Sequence, residues 1–171
     1  MALTDPALVI DYFLRDPALV FAMWRRSVLC QVRQGELTGE VLARVEKNLV
    51  PFLVPGRVFG ALLVVEAAAP LPSTEVRSKQ RELMGALTHI RTARIAVISL
   101  GDDLVSLVGR SSGRVLAAQM PNTKLFADVP TGAKWLSTEL APLGLTLDSK
   151  ELVQAYEMLR AGLSATSVTR K

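Results

Sequence analysis

A serine hydrolase needs a hydroxyl, an imidazole and a carboxylate within reach of one another, and this chain offers a single histidine for that work. The candidates are Ser73 or Ser99 as nucleophile, His89 as base, and Asp102 or Asp103 as the orienting carboxylate. No nucleophile elbow of the form Gly-x-Ser-x-Gly exists. His89 falls near the C-terminal end of a helical stretch, where a favourable dipole interaction or simple exposure accounts for it. Asp102 and Asp103 follow Gly101 and precede apolar residues, the pattern of a helix cap with a first-turn charge. Gly109-Arg110-Ser111-Ser112-Gly113-Arg114 has the composition of an anion-binding loop, but it lacks the lysine and the strand-to-helix setting of a phosphate loop. Cys30 lies inside an apolar alternation and reads as a small core residue. One cysteine forms no internal disulfide, and with one histidine it makes no thiol–imidazole metal site. Catalytic groups are therefore sparse: the expectation is a protein that is not an enzyme, with no cofactor and no metal.

Charge says little about partners. The formal net charge of +4 divides as 10 Lys/Arg against 9 Asp/Glu through residue 85 and 10 against 7 after it, so neither half is a basic module. Arg77, Lys79, Arg81, Arg91 and Arg94 fall close together, but Glu75 and Glu82 sit among them and no aromatics interleave to stack bases. A solvated helix face explains them and disfavours nucleic acid. Lys79, Arg81 and Arg91 remain a candidate interaction surface for another protein.

Positioning such residues takes a core, and the composition supplies one. The chain has 171 residues, half of them hydrophobic and 21% charged, with mean hydropathy +0.31. That suits one domain able to offset its ordering entropy by burial. The longest nearly uncharged run, residues 58–71, is about 14 residues, short of the roughly 20 needed to span a bilayer. The N-terminus has no basic region and carries Asp5, Asp11 and Asp16 where a signal peptide needs an apolar core, so the expected location is the cytoplasm.

The pentapeptide Asp-Pro-Ala-Leu-Val occurs at 5–9 and again at 16–20, each time opening an apolar segment rich in β-branched and aromatic residues. Both segments, 7–14 and 18–24, read as strands joined by a turn at 15–17. Period-two alternation over 28–33 reads as a half-buried strand. Thr38 caps a helix over 39–53 with Val41, Leu42, Val45 and Leu49 on one face. Residues 58–65 are continuously apolar, as in a central strand covered on both faces. A helix over 75–88 follows, with Val76, Leu83, Leu87 and Ile90 inward, and then a buried strand over 95–100. Residues 104–118 fit either a helix or a hairpin turning at 111–113. A short strand at 124–127 precedes a helix opening at Pro130-Thr131 and stopped by Pro142 and Gly144. Asp148 and Glu151 have capping-box spacing ahead of a last helix, with a frayed polar tail from Ser164. Helices alternating with strands from residue 38 onward require crossovers, hence a mixed, mainly parallel α/β sheet of four to six strands with helices packed on it, the opening strands pairing at an edge.

Three stretches carry a resemblance: GALLVVEAAAPLPS at 60–73, RIAVISLGDD at 94–103, and KLFADVPTGAKWL at 124–136. With the order of elements they make residues 9–140 resemble the STAS domain, in particular its bacterial SpoIIAA-like (STAS/SEC14-like) branch. In that branch a short strand ending in Phe is followed by an acidic turn and a helix with a small residue ahead of Trp-Leu, as in Phe126, Asp128, Ala133, Trp135 and Leu136 here. The resemblance implies a STAS-like domain over 1–144 and an extra C-terminal helix with a short tail over 145–171. It also implies a non-catalytic regulatory role, because STAS domains bind partner proteins such as switch kinases and sigma-factor regulators. Some are controlled by phosphorylating a Ser or Thr at the start of the helix after the central strand. That location here is Ser73-Thr74, where a phosphate would face the positive end of the helix with Arg77 one turn along. The family's usual Asp-Ser pair is Pro72-Ser73 in this chain, and the glycine that follows it there is missing, so the fold transfers further than the switch does.

Three functions follow in order: a regulatory protein-interaction module, a binding protein for a small apolar ligand or lipid, and a small hydrolase built on His89 with Asp102 or Asp103. The amphipathic helix beyond Gly144 either covers a sheet face or joins a second subunit, and a homodimer is the expectation.

Overall fold

Apolar side chains alternate along the strands in two sets, and each set is buried under its own pair of helices. Val20, Ala22, Trp24, Val28, Cys30 and Val32 belong to one core, while Leu19, Phe21, Met23 and Leu29 from the same strands belong to the other. This is the period-two signature of strands covered on both faces. The computed structural model describes residues 9–101, 118, 120 and 122–168.

Six strands form one sheet whose spatial order equals their sequence order: β1 (Ile10–Asp16), β2 (Leu19–Trp24), β3 (Val28–Arg33), β4 (Phe59–Val65), β5 (Ala93–Ser99) and β6 (Thr123–Phe126). β1, β2 and β3 pair antiparallel, and β3 through β6 pair parallel. The sheet is thus mixed and mainly parallel, with its antiparallel strands at one edge as expected. The Ala18 N–H donates to Asp16 Oδ1 at 3.0 Å, closing the turn that the Asp-Pro pair announces.

α1 (Gly39–Leu49) and α2 (Thr74–Thr88) cover one face, and α3 (Val129–Leu140) and α4 (Ser149–Val168) the other. Thr38 caps α1 by accepting from the Val41 N–H, and Asp128 caps α3 by accepting from the Thr131 N–H at 2.8 Å. α3 lies close on the sheet: a Cβ on Gly60 would stand 2.9 Å from Leu140 Cδ1, and one on Gly132 2.9 Å from Ile98 Cδ1. The Phe126 and Trp135 rings meet at 5.5 Å and Leu136 is fully buried, so the KLFADVPTGAKWL residues do pack the helix onto the sheet.

Three expectations need correction. β3 is not half-buried, because helices cover both of its faces and only Gln31 is partly open. The helix expected over 39–53 ends at Leu49 and tightens into a 3-10 turn at Val50–Phe52, because Pro51 has no N–H to continue the α-helical ladder. The frayed tail expected from Ser164 is instead helical through Val168, and residues 169–171 lie outside the described residues. Leu152, Ala155, Tyr156, Leu159 and Leu163 of α4 share one core with strand residues, so this helix covers the sheet face. The choice between helix and hairpin at 104–118 turns on residues 104–117, which lie outside the described residues, as do Asp102, Asp103 and the loop 109–114.

Candidate functional site

β3, β4 and β5 run the same way, so their carboxyl ends share one edge of the sheet: Arg33 pairs with Val65, and Val65 with Ser99. Open parallel sheets bind their ligands at such an edge. Beyond β4 the chain crosses residues 66–72 to reach Ser73, and that crossing is tied down. The Glu66 N–H donates to the Arg33 carbonyl at 2.8 Å, and Arg33 Nη1 donates to the carbonyls of Pro70 at 2.8 Å and Gly35 at 3.0 Å. Arg33 is 4% exposed, and among the described residues no carboxylate pairs with it. Burial lowers its guanidinium pKa from the ordinary value.

Ser73 is the N-cap of α2, its Oγ accepting from the Val76 N–H at 3.3 Å. Thr74 is the first helical residue, and its Oγ1 accepts from Arg77 Nη2 at 3.2 Å. Ser73, Thr74 and Arg77 are all exposed, so the structure brings together the three residues that the resemblance singled out. A phosphate ester on either hydroxyl would stand at a helix N-terminus with a guanidinium already beside it. That arrangement suits a dianion on two counts, the partial positive charge of the free N–H groups and the fork of donors on Arg77.

The same edge holds a polar group that sequence reasoning missed. Glu66 Oε1 accepts from the Tyr156 hydroxyl at 2.7 Å and forms an ion pair with Arg160 Nε at 3.3 Å, linking the end of β4 to α4. Burial, then the hydrogen bond to the Glu66 carboxylate, pushes the Tyr156 pKa up. Gln34 Nε2 donates to the carbonyls of Pro17 at 3.0 Å and Leu163 at 3.5 Å, fastening the far end of α4. The signal was a charged residue closing each apolar strand, Arg33 after Val32 and Glu66 after Val65.

Other candidates separate. Ser73 and His89 stand at opposite ends of α2, about 24 Å apart along the axis at 1.5 Å per residue. Ser99 ends β5, whereas His89 is the C-cap of α2 and lies before the start of that strand, about 20 Å away at the rise of a strand. Neither hydroxyl forms a hydrolytic site with His89. Cys30 is buried, and burial pushes its thiol up to about 12, which suits an inert core residue. Lys79, Arg81 and Arg91 are exposed but do not share a face: Lys79 borders a groove between α1 and α2, Arg81 is turned about 200° from it, and Arg91 lies past the helix end.

Beneath α1 and α2 a cavity of about 70 Å³ opens against the sheet, lined by Phe21, Leu29, Leu63 and Leu83 with the amide side chains of Gln31 and Gln80. A groove of about 220 Å³ runs along the outer side of the same two helices, and Leu42 and Leu83 border both spaces.

No family model matches the chain, and no curated protein matches it. Among solved structures, the chain is similar to an uncharacterized protein from the DUF3478 family with a SpoIIAA-like fold from Shewanella loihica PV-4. The match has a TM-score of 0.49 and 19% sequence identity, and covers 80% of this chain and 98% of the other.

Proposed function

We propose that this chain is a non-catalytic regulatory module that binds another protein through the edge bearing Ser73, Thr74 and Arg77, and that a phosphate on one of these hydroxyls switches the binding. The observation that carries it is the 3.2 Å contact from Arg77 Nη2 to Thr74 Oγ1 on an exposed helix N-terminus. A new dianion there gains charge-assisted hydrogen bonds from a guanidinium already beside it, and it adds about two negative charges to the surface a partner meets. The distance of His89 from Ser73 and Ser99 favours this reading over a hydrolase that pairs His89 with either hydroxyl.

The test is capture from native lysate with the tagged chain and with the S73A/T74A and S73E/T74E variants, the retained proteins and phosphosites being read by mass spectrometry. A stoichiometric protein whose retention differs between the two variants supports the module. Identical retention by all three forms contradicts the switch.

The cavity under α1 and α2 favours a second reading, a site for a small apolar ligand. The amides of Gln31 and Gln80 would fix its polar end, and the groove bordered by Leu42 and Leu83 would take the rest. Solvent extraction of the purified chain tests it: a single stoichiometric small molecule supports this reading, and an empty extract opposes it.

A further inference from the structure

The opposite edge of the sheet, where the parallel strands begin, collects unpaired cations and exposed aliphatic side chains. Register fixes the collection: Val28 pairs with Gly60, Phe59 with Ala93 and Ile95 with Thr123. The Gly60 N–H donates to the Ser27 carbonyl, and the Thr92 hydroxyl donates to the Arg57 carbonyl. Arg26 before β3, Arg57 before β4 and Arg91 before β5 therefore succeed one another along the edge. Two further arginines there are neutralised, Arg25 by Glu151 at 2.9 Å and Arg94 by Glu139 at 3.5 Å. Arg26, Arg57 and Arg91 make no ion pair among the described residues.

Between these cations the chain passes through Val50-Pro51-Phe52-Leu53-Val54-Pro55-Gly56. Phe52 is anchored against the Phe13 ring at 5.6 Å, with the Arg57 guanidinium 4.3 Å above its face. Val50 and Val54 instead project, 57% and 50% exposed, and Val9 at the same edge is 49% exposed. The prolines stiffen the loop, so holding these side chains out costs little further entropy.

Arg25 and Arg26 are the central residues of the turn within the three-residue link from β2 to β3, with φ of 49° and 55°, and the Ser27 N–H closes it by donating to the Trp24 carbonyl at 3.0 Å. Turns of this kind favour Asn-Gly, because a side chain in the left-handed region is strained. Arg25 spends its side chain on Glu151, whereas Arg26 takes the same strained conformation with no ion pair among the described residues.

We propose that this edge is a docking surface for an anionic phospholipid bilayer, with Arg26, Arg57 and Arg91 at the phosphate level and Val50 and Val54 dipping below it. A bilayer offers both things the edge lacks, anionic groups in a plane and an apolar layer just beneath them. A nucleic-acid backbone answers the cations but leaves the valines in water. The surface shares no residue with the Ser73 edge and stands or falls separately from it.

The test is co-sedimentation of the full chain with phosphatidylcholine vesicles, with and without phosphatidylserine. The expected result is binding to the phosphatidylserine vesicles alone. R26A/R57A/R91A lowers that binding about 100-fold, from the usual gain per cation at an anionic surface, and V50S/V54S lowers it about tenfold, from lost apolar burial. R81A, on α2 away from the edge, leaves it unchanged. Circular dichroism confirms that each variant is folded. Absence of phosphatidylserine-dependent binding overturns the proposal. So does full binding by V50S/V54S, which would mark a site for any polyanion, or an equal loss with R81A, which would mark diffuse charge.

Discussion

The Tyr156 hydroxyl donates to Glu66 Oε1 at 2.7 Å across 90 residues of sequence, and in doing so joins the last helix to the end of the central strand. Arg160 Nε approaches the same oxygen at 3.3 Å from one turn further along α4. The Glu66 side chain is 12% exposed, so little water is available to replace either partner. The contact fixes where the chain leaves β4 for the crossing to Ser73.

Removing that hydroxyl tests the tie. Tyr156→Phe leaves a largely buried carboxylate one donor short, an expected loss of about 1–3 kcal/mol in urea unfolding. An unchanged midpoint would show that Arg160 or water satisfies Glu66 unaided.

Cys30 gives a pH dependence. Its thiol rises from 9.0 to about 12 on burial, so below pH 9 both folded and unfolded states hold the proton and stability is flat in this group. Between pH 9 and 12 the unfolded state releases its proton and the folded state keeps it, so stability falls as pH rises, by about 1.4 kcal/mol per unit. In Cys30→Ala this component of the decline disappears. Stability measured by urea unfolding at a series of pH values reads the difference, and parallel curves for the two proteins would contradict it.

Gly35 is required by close approach. A Cβ there would lie 2.8 Å from Ala18 Cα, and the Gly35 N–H already donates to the Ala18 carbonyl at 3.0 Å. Backbone atoms cannot rotate aside as a side chain can. Gly35→Ala should cost about 1–3 kcal/mol and should loosen the Arg33 hold on Gly35 and Pro70, which hydrogen exchange at residues 66–72 would report.

The left-handed turn predicts a trade between stability and binding. Arg26→Gly relieves the strain at φ 55° and should raise stability by up to about 1 kcal/mol, while weakening attachment to phosphatidylserine vesicles. Thermal unfolding and co-sedimentation of this variant read the two effects, and a destabilised variant would show that Arg26 makes a stabilising contact.

Most of the architecture was legible because its signals are local and repeated. Thr38 and Asp148 mark helix starts through side-chain oxygens that accept backbone N–H groups two or three residues on, and both do so, as Ser73 and Asp128 prove to do in the structure. The alternation over 28–33 was legible as a strand but not as a central one, since Gln31 and Arg33 look solvent-facing until helices are known to cover both faces. Arg33 in particular is buried on carbonyls supplied by Gly35 and Pro70, and Pro70 lies 37 residues away. The Glu66–Tyr156–Arg160 group escaped notice for the same reason, because its members meet only through the fold.

At the candidate site, Ser73, Thr74 and Arg77 were legible because one helical turn holds them, whereas Lys79, Arg81 and Arg91 were grouped by proximity in sequence and a helix spreads them apart. The cations at the beginning of β3, β4 and β5 were the reverse case: 65 positions separate Arg26 from Arg91, and parallel register alone brings their strands together.

The most direct measurement of the central claim is the affinity between the chain and the partner retained in native lysate, titrated with the chain unmodified and with phosphate on Ser73 or Thr74. The account predicts a change in Kd of about tenfold or more on phosphorylation, abolished by Arg77→Ala if Arg77 holds the phosphate. Equal affinities for the modified and unmodified chains would contradict it.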